Sequence, residues 1–173
     1  MISYREVRRD DTPLIADLCL LLQDSVARGA SVGFLHPLRL HTAAEYWHGT
    51  LRTLGRMQRM WVAQHGTRTV GTVQLVLCER ENARHRGEVQ KLLVLAGYRR
   101  RGIASRLLDQ VDACADAEAR TLLVLDTAAG SPAERLYQAR GWARAGAIPD
   151  FAREPAGGLT PTVLYYRRRE GAA

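Results

Sequence analysis

A chain of 173 residues with 46% apolar and 25% charged residues has the make-up of an ordinary folded domain, which excludes a disordered or fibrous protein. No apolar run nears the roughly 20 residues of a membrane span, and the expectation is one domain over residues 1–173. The formal charge of +7 and a pI near 9.9 fit a polyanionic partner, but the arginines are scattered through every segment and form no nucleic-acid motif, so a small polyanionic ligand ranks above DNA, RNA or a membrane surface.

Ile2 to Val7 alternates like a strand, and Asp10-Asp11-Thr12-Pro13 opens a helix expected to run to Arg28 and stop at Gly29. Thr42 and Glu45 have capping-box spacing for a second helix carrying Tyr46, Trp47, Leu51 and Leu54. Met60 to Gln64, a turn at His65-Gly66-Thr67, and Thr69 to Cys78 read as a hairpin. Glu88 to Leu95 is the next strand, followed by the glycine-containing basic turn Arg99 to Ser105 and a helix with Leu107, Leu108, Val111 and Cys114 inward. Thr121 to Leu125 is wholly apolar, as a strand buried on both faces would be. Asp126 begins a turn in this reading. Ser131-Pro132-Ala133-Glu134 combines an N-cap, a proline at the first helical position and a capping-box glutamate, and Gly141 closes that helix. A loop from Pro149 to Pro161, holding Asp150 and Phe151, precedes a last strand at Thr162 to Tyr166.

Cys19, Cys78 and Cys114 are odd in number, far apart and set in apolar stretches, so they read as buried thiols in a reducing compartment. The five histidines have no metal-ligand spacing, and no metal is expected. The first ten residues lack the continuous apolar core of a secretory signal, which makes a cytoplasmic location the expectation.

The turn from Arg99 to Ser105 is the sharpest feature. A turn entering a helix points several unpaired amides the same way, the helix dipole adds positive charge, and Gly102 keeps the approach clear for phosphate. The alternative is a solvated basic helix start. Arg99-Arg100-Arg101-Gly102-Ile103-Ala104 resembles the Arg/Gln-x-x-Gly-x-Gly/Ala signature of the GNAT N-acetyltransferases, and Ala133 to Trp142 resembles that family's second landmark, a helix with tyrosine followed by glycine and an aromatic. Gly29 to Phe34, Glu88 to Leu92, Leu125 to Ser131, and Pro161-Thr162 with Tyr165 are similar to the tabtoxin-resistance-type members.

The resemblance implies a mixed α/β fold of about seven strands, mostly antiparallel, flanked by about four helices and splayed between the fourth and fifth strands. Acetyl-CoA would lie in the splay, with the backbone of Leu93, Val94 and Leu95 on the pantetheine and the segment Arg99, Arg100, Arg101, Gly102, Ile103, Ala104 and Ser105 on the pyrophosphate. It further implies direct attack of a primary amine on the thioester. The amine needs a proton acceptor, for which Glu88 and Asp126 are candidates, and the departing thiolate needs an acid, for which Tyr137 is the candidate. Each has a bland alternative: a solvent-facing strand residue paired with Lys91 or Arg86 for Glu88, a turn residue for Asp126, a core aromatic for Tyr137. Ser131 caps its helix or touches the cofactor. Phe34, Tyr46 and Trp47 pack in the core or line the acceptor pocket.

The activity so implied is N-acetylation of a small amino-acid-like or toxin-like amine in an acidic pocket. A protein or peptide amine is the alternative acceptor, a non-catalytic acyl-CoA sensor the alternative class, and a homodimer through the last strands an expectation.

Overall fold

The computed structural model describes residues 1–169. The chain runs β1 (Ile2–Glu6), α1 (Ile15–Ala27), α2 (Leu40–Thr53), β2 (Gln58–His65), β3 (Arg68–Leu77), β4 (Arg86–Val94), α3 (Ile103–Ala117), β5 (Leu122–Ala128), α4 (Pro132–Ala139), β6 (Ala143–Arg153) and β7 (Leu159–Arg168). The strands form one sheet in the order β1-β2-β3-β4-β5-β7-β6, antiparallel everywhere except between β4 and β5. Among the described residues no helix is long and apolar enough to cross a membrane.

Alternation along β3 assigns the helices to faces. A Cβ at Gly71 would meet Ile103 and Leu107 of α3, whereas Gln74, three residues on and therefore on the other face, bonds the Tyr46 hydroxyl of α2. The first helix joins α2 there: Asp17 accepts the Thr69 amide at 2.6 Å. Arg140, at the end of α4, bonds Asp109 and Asp112 of α3, which keeps α4 on the α3 face. Leu18, Leu21, Leu22 and Trp47 fill the core under one pair of helices, and Ile103, Leu107, Leu108 and Val111 fill it under the other. Each such side chain contributes roughly 1.5–3 kcal/mol by leaving water.

Several local expectations change. The proline at residue 13 lies in a short 3-10 turn before α1, and Asp11 bonds Arg5 and the Arg8 amide instead of capping. Arg39 stands at the start of α2, so Thr42 and Glu45 fall inside that helix rather than boxing its end. Ser131 does flank α4, but its hydroxyl pairs with Thr127 at 3.1 Å, and Glu134 takes the Gly130 amide at 2.6 Å. Only one face of β5 is covered: Leu123 and Leu125 are buried, while Leu122 and Val124 are half-buried and Asp126 is exposed, because α1 and α2 do not extend over this part of the sheet. Cys19 and Cys114 are buried, but Cys78 is only half so.

The largest miss is β6. Residues 149–153 belong to it rather than to a loop, and Pro161 lies within β7. As the outermost strand, β6 is exposed along most of its length, so no alternation marks it, and its edge tolerates Pro149.

Candidate active site

The parallel pairing of β4 and β5 spans Arg86 opposite Leu122, Gly87 opposite Leu123 and Glu88 opposite Val124, and then stops. Beyond Glu88 the strands part, while β5 stays bonded to β7 through Ala128. A wedge opens there, with an unpaired edge of β4 as one wall.

That edge is shaped by a bulge. Thr72 pairs with Leu93 and Gln74 with Gln90, leaving Lys91 and Leu92 opposite Val73 alone, and Lys91 takes a left-handed φ of 50°. After the bulge, alternation decides which backbone groups face the wedge. The Leu95 amide donates to the Val70 carbonyl at 2.9 Å, so Leu95, and Leu93 two residues before it, turn toward β3. The Val94 carbonyl turns away from β3 and accepts from Arg99 Nε at 3.0 Å. The expectation that Leu93 and Leu95 offer their backbone to the wedge is therefore corrected. Val94 does so, with Leu92 on the same side.

After β4 the chain makes a 3-10 turn, Ala96–Tyr98, whose first amide is held by Asp24 of α1 at 2.9 Å. Burial pushes the Asp24 carboxyl up, but hydrogen bonds from Arg28 and the Ala96 amide outweigh it and leave the group below its ordinary value. Arg100 and Gly102 both adopt left-handed φ, at 61° and 75°, which swings the chain abruptly into α3. The first ladder bond of α3 runs from the Arg106 amide to the Gly102 carbonyl, so the amides of Ile103, Ala104 and Ser105 have no acceptor within the helix. No atom lies within 4 Å of where a Gly102 Cβ would be, and Arg99, Arg100 and Arg101 are exposed around the opening. Arg101 stacks over Tyr98, 5.2 Å from its centroid, and the Tyr98 hydroxyl meets His65 Nδ1 at 3.0 Å. These groups suit a pyrophosphate: free amides, a helix dipole, exposed cations and an open approach.

The other wall brings up Tyr137. Pro132 starts α4 and Gly141, at φ 76°, ends it, so its single buried residue, Tyr137, packs against Trp142 and Tyr165 with ring centroids 5.8 and 6.1 Å away. Glu134 accepts from the Tyr165 hydroxyl at 2.6 Å, and Arg167 lies over the Trp142 ring. Burial, and after it the charge of Asp126, raises the Tyr137 phenol far above its ordinary value.

Asp126 is a β5 strand residue rather than the start of a turn. Thr162 of β7 donates to its Oδ2 at 2.9 Å and to the Thr127 carbonyl at 3.0 Å. Glu88, at the apex of the wedge, accepts from Gln90 Nε2 at 2.7 Å and bonds neither Lys91 nor Arg86; the latter reaches Cys78 instead. Glu88, Gln90, Val124 and Asp126 share the α1/α2 face through their register. Lys91 joins them, its ammonium 5.6 Å above the Tyr46 ring. Burial lowers its pKa, against the raising pull of Asp126 and Glu88. The pocket expected to be acidic therefore carries both signs. Of the three aromatic candidates, Trp47 is wholly core, whereas Phe34 and Tyr46 are half-buried and meet edge to face at 5.3 Å. Lys91 and Thr162 are the residues that sequence reasoning gave no site role; the one available signal was that Lys91 is the sole lysine.

Residues 56–144, from just before β2 to the start of β6 and so including both walls of the wedge, match the model of the acetyltransferase (GNAT) domain family. The chain belongs to the GNAT acetyltransferase family. Solved structures agree over nearly the whole length. An N-acetyltransferase from Staphylococcus aureus Mu50 superposes with a TM-score of 0.78 at 18% identity, covering 97% of this chain and 98% of that one. A Salmonella typhimurium protein solved with its cofactor acetyl-CoA gives 0.76 at 14%, covering 99% and 96%. The ribosomal-protein-S18-alanine N-acetyltransferase of Escherichia coli gives 0.73 at 13%, covering 100% and 97%. In this GNAT chain the family match leaves out β1, α1, α2, most of β6 and β7, so that Tyr46 of α2 and Thr162 of β7 lie outside it.

Proposed function

We propose that this GNAT chain transfers the acetyl group of acetyl-CoA to the primary amine of a small molecule, amino-acid-like or toxin-like, by direct attack. The observation that carries the reading is the parting of β4 from β5 beyond Glu88, which opens a wedge beside the unpaired amides at the start of α3. The amides of Ile103, Ala104 and Ser105 hold the pyrophosphate, and the Val94 and Leu92 backbone lies along the pantetheine. Fixing both reactants in line is the largest contribution the site makes.

In the reaction the amine nitrogen bonds to the thioester carbon, the carbon–sulfur bond breaks, and two protons move. Asp126, or Glu88 through a water, takes the proton of the amine. Tyr137 gives its proton to the departing thiolate. Burial chiefly, and the Asp126 charge second, hold the phenol proton in place, so Tyr137 is protonated when the thiolate departs.

Acetyl-CoA binding by calorimetry, followed by thiol release with amino acids, dipeptides, polyamines and β-lactam-type amines, tests the reading. Binding plus thiol release with a small amine is the expected result. Failure of acetyl-CoA to bind overturns the assignment of the Arg99 to Ser105 turn, and binding with turnover only on peptide N-termini overturns the small-molecule acceptor.

A further inference from the structure

Lys91 is the only lysine among 25 basic residues of the chain. It stands where β4 bulges, in a left-handed backbone conformation uncommon for a residue with a side chain, and the bulge coincides with the beginning of the open edge. Its ammonium is half-buried. Among the described residues its ammonium makes no ion pair within 4 Å and no hydrogen bond: the Tyr46 ring lies beneath it, and Asp126 and Glu88 act on it only at a distance. Several partly buried arginines are treated differently: Arg59 bonds Glu6, Arg140 bonds Asp109 and Asp112, and Arg169 bonds Asp112 and Asp116, and even Arg86 and Arg120, which have no carboxylate, reach the sulfur and carbonyl of Cys78. Withdrawing an ammonium from water without an anionic partner is costly, and the Tyr46 face offsets only a part of that. The two carboxylates that feel Lys91, Glu88 and Asp126, are those assigned to the amine.

We infer that Lys91 holds the carboxylate of the acceptor, so that the acceptor is a zwitterion, its ammonium directed to Asp126 and Glu88 and its carboxylate to Lys91 over the Tyr46 ring. The inference rests on the acetyl-transfer reading and adds the acceptor's second charge. A pocket lined by carboxylates alone would favour a polyamine. A pocket with one cation placed beside two anions favours an amine whose carboxylate lies a few bonds away, and it disfavours the same molecule with that carboxylate blocked. Lysine suits this task because its flexible stem lets a compact charge follow acceptors of different length.

The test compares α-, β- and γ-amino acids and dipeptides with their carboxamides, by thiol release, in the wild type and in Lys91→Met and Lys91→Arg. The expected result is at least a tenfold preference for free acids in the wild type. Lys91→Met should lower kcat/KM for the acids by tenfold or more, through KM, and leave the amides unchanged, while Lys91→Arg retains part of the preference. Equal use of acids and amides by the wild type overturns the inference, as does an equal loss on both in Lys91→Met. Turnover of polyamines or amides alone also overturns it while leaving acetyl transfer standing. A second readout does not need turnover. Protein labelled with 15N at lysine Nζ has one side-chain ammonium resonance, which should move when a free acid is added to the CoA complex and stay with the amide; an unmoved resonance with a turned-over acid overturns the inference.

Discussion

Thr162 on β7 and Asp126 on β5 are diagonal neighbours on the paired β5–β7 ladder, the threonine hydroxyl donating to the carboxylate at 2.9 Å. The bond fixes which oxygen of Asp126 remains free for the wedge, since Oδ2 is engaged and Thr162 itself is buried. Asp126→Asn should therefore lower kcat/KM for the amine about 100-fold, the usual range for loss of a general base, and leave acetyl-CoA affinity unchanged. Thr162→Val keeps the carboxylate but frees its orientation, and about a tenfold loss is expected. Steady-state kinetics with calorimetry on the same preparations checks both, and a fully active Asp126→Asn would return that carboxylate to a purely structural place.

Tyr137 is buried on the α4 side of the wedge. Burial first, and Asp126 second, raise its phenol above the ordinary tyrosine value, so the proton is retained at every pH used for an assay. No alkaline fall in kcat from tyrosine ionisation should appear up to about pH 10, the value of a free phenol. Tyr137→Phe removes only the hydroxyl and preserves the packing on Trp142 and Tyr165. A 100-fold or larger loss of kcat with unchanged acetyl-CoA affinity is the expected outcome, read by thiol release and calorimetry.

Asp24 ties α1 to the turn before the phosphate site. Its carboxyl lies below the ordinary value, so its contribution to stability is full above the unfolded value of about 3.9 and is lost as pH falls through the lower folded one. Acetyl-CoA binding should thus be insensitive to this group from neutral pH down to about pH 5. Asp24→Ala leaves the Ala96 amide without its acceptor and should cost about 1–3 kcal/mol at neutral pH. Urea denaturation at pH 7 and pH 3 measures it: the gap between wild type and variant should shrink at the lower pH.

What could be read in the sequence follows from burial. The helices α1 and α3 repeat apolar residues at helical spacing because one side of each packs on the core, β3 reads as a long Val- and Thr-rich run because both its faces are covered, and Gly102 announces the α3 entry because the chain there needs a left-handed residue. An edge strand has no such constraint, so β6 stayed hidden behind Pro149 and its exposed neighbours. The residues of the wedge divide the same way. Asp126 and Tyr137 stood out by type and position, but the turn of Leu95 toward β3 depends on a bulge at Lys91 that no local pattern specifies, and Lys91 enters the pocket because of that bulge. Thr162 lies 36 residues from Asp126, and only the β5–β7 register joins them.

Two glycines near the proposed phosphate site should respond to an added methyl group for different reasons. At Gly71 a Cβ would lie 3.1 Å from the Leu93 carbonyl oxygen and 3.2 Å from both Ile103 and Leu107, so either the backbone of β4 or the first turns of α3 must give way. Overpacking of this kind costs about 1–3 kcal/mol. The displaced turn is the one whose unpaired amides are proposed to hold the pyrophosphate, so Gly71→Ala should weaken acetyl-CoA binding from a position outside that turn. At Gly102 nothing stands within 4 Å, and Gly102→Ala pays only the left-handed backbone strain, about 1–2 kcal/mol. Urea denaturation should show both variants destabilised by similar amounts. Calorimetry separates them by cause: a second change that relieves the clash, Leu107→Val, should restore part of the acetyl-CoA affinity of Gly71→Ala and none of that lost in Gly102→Ala.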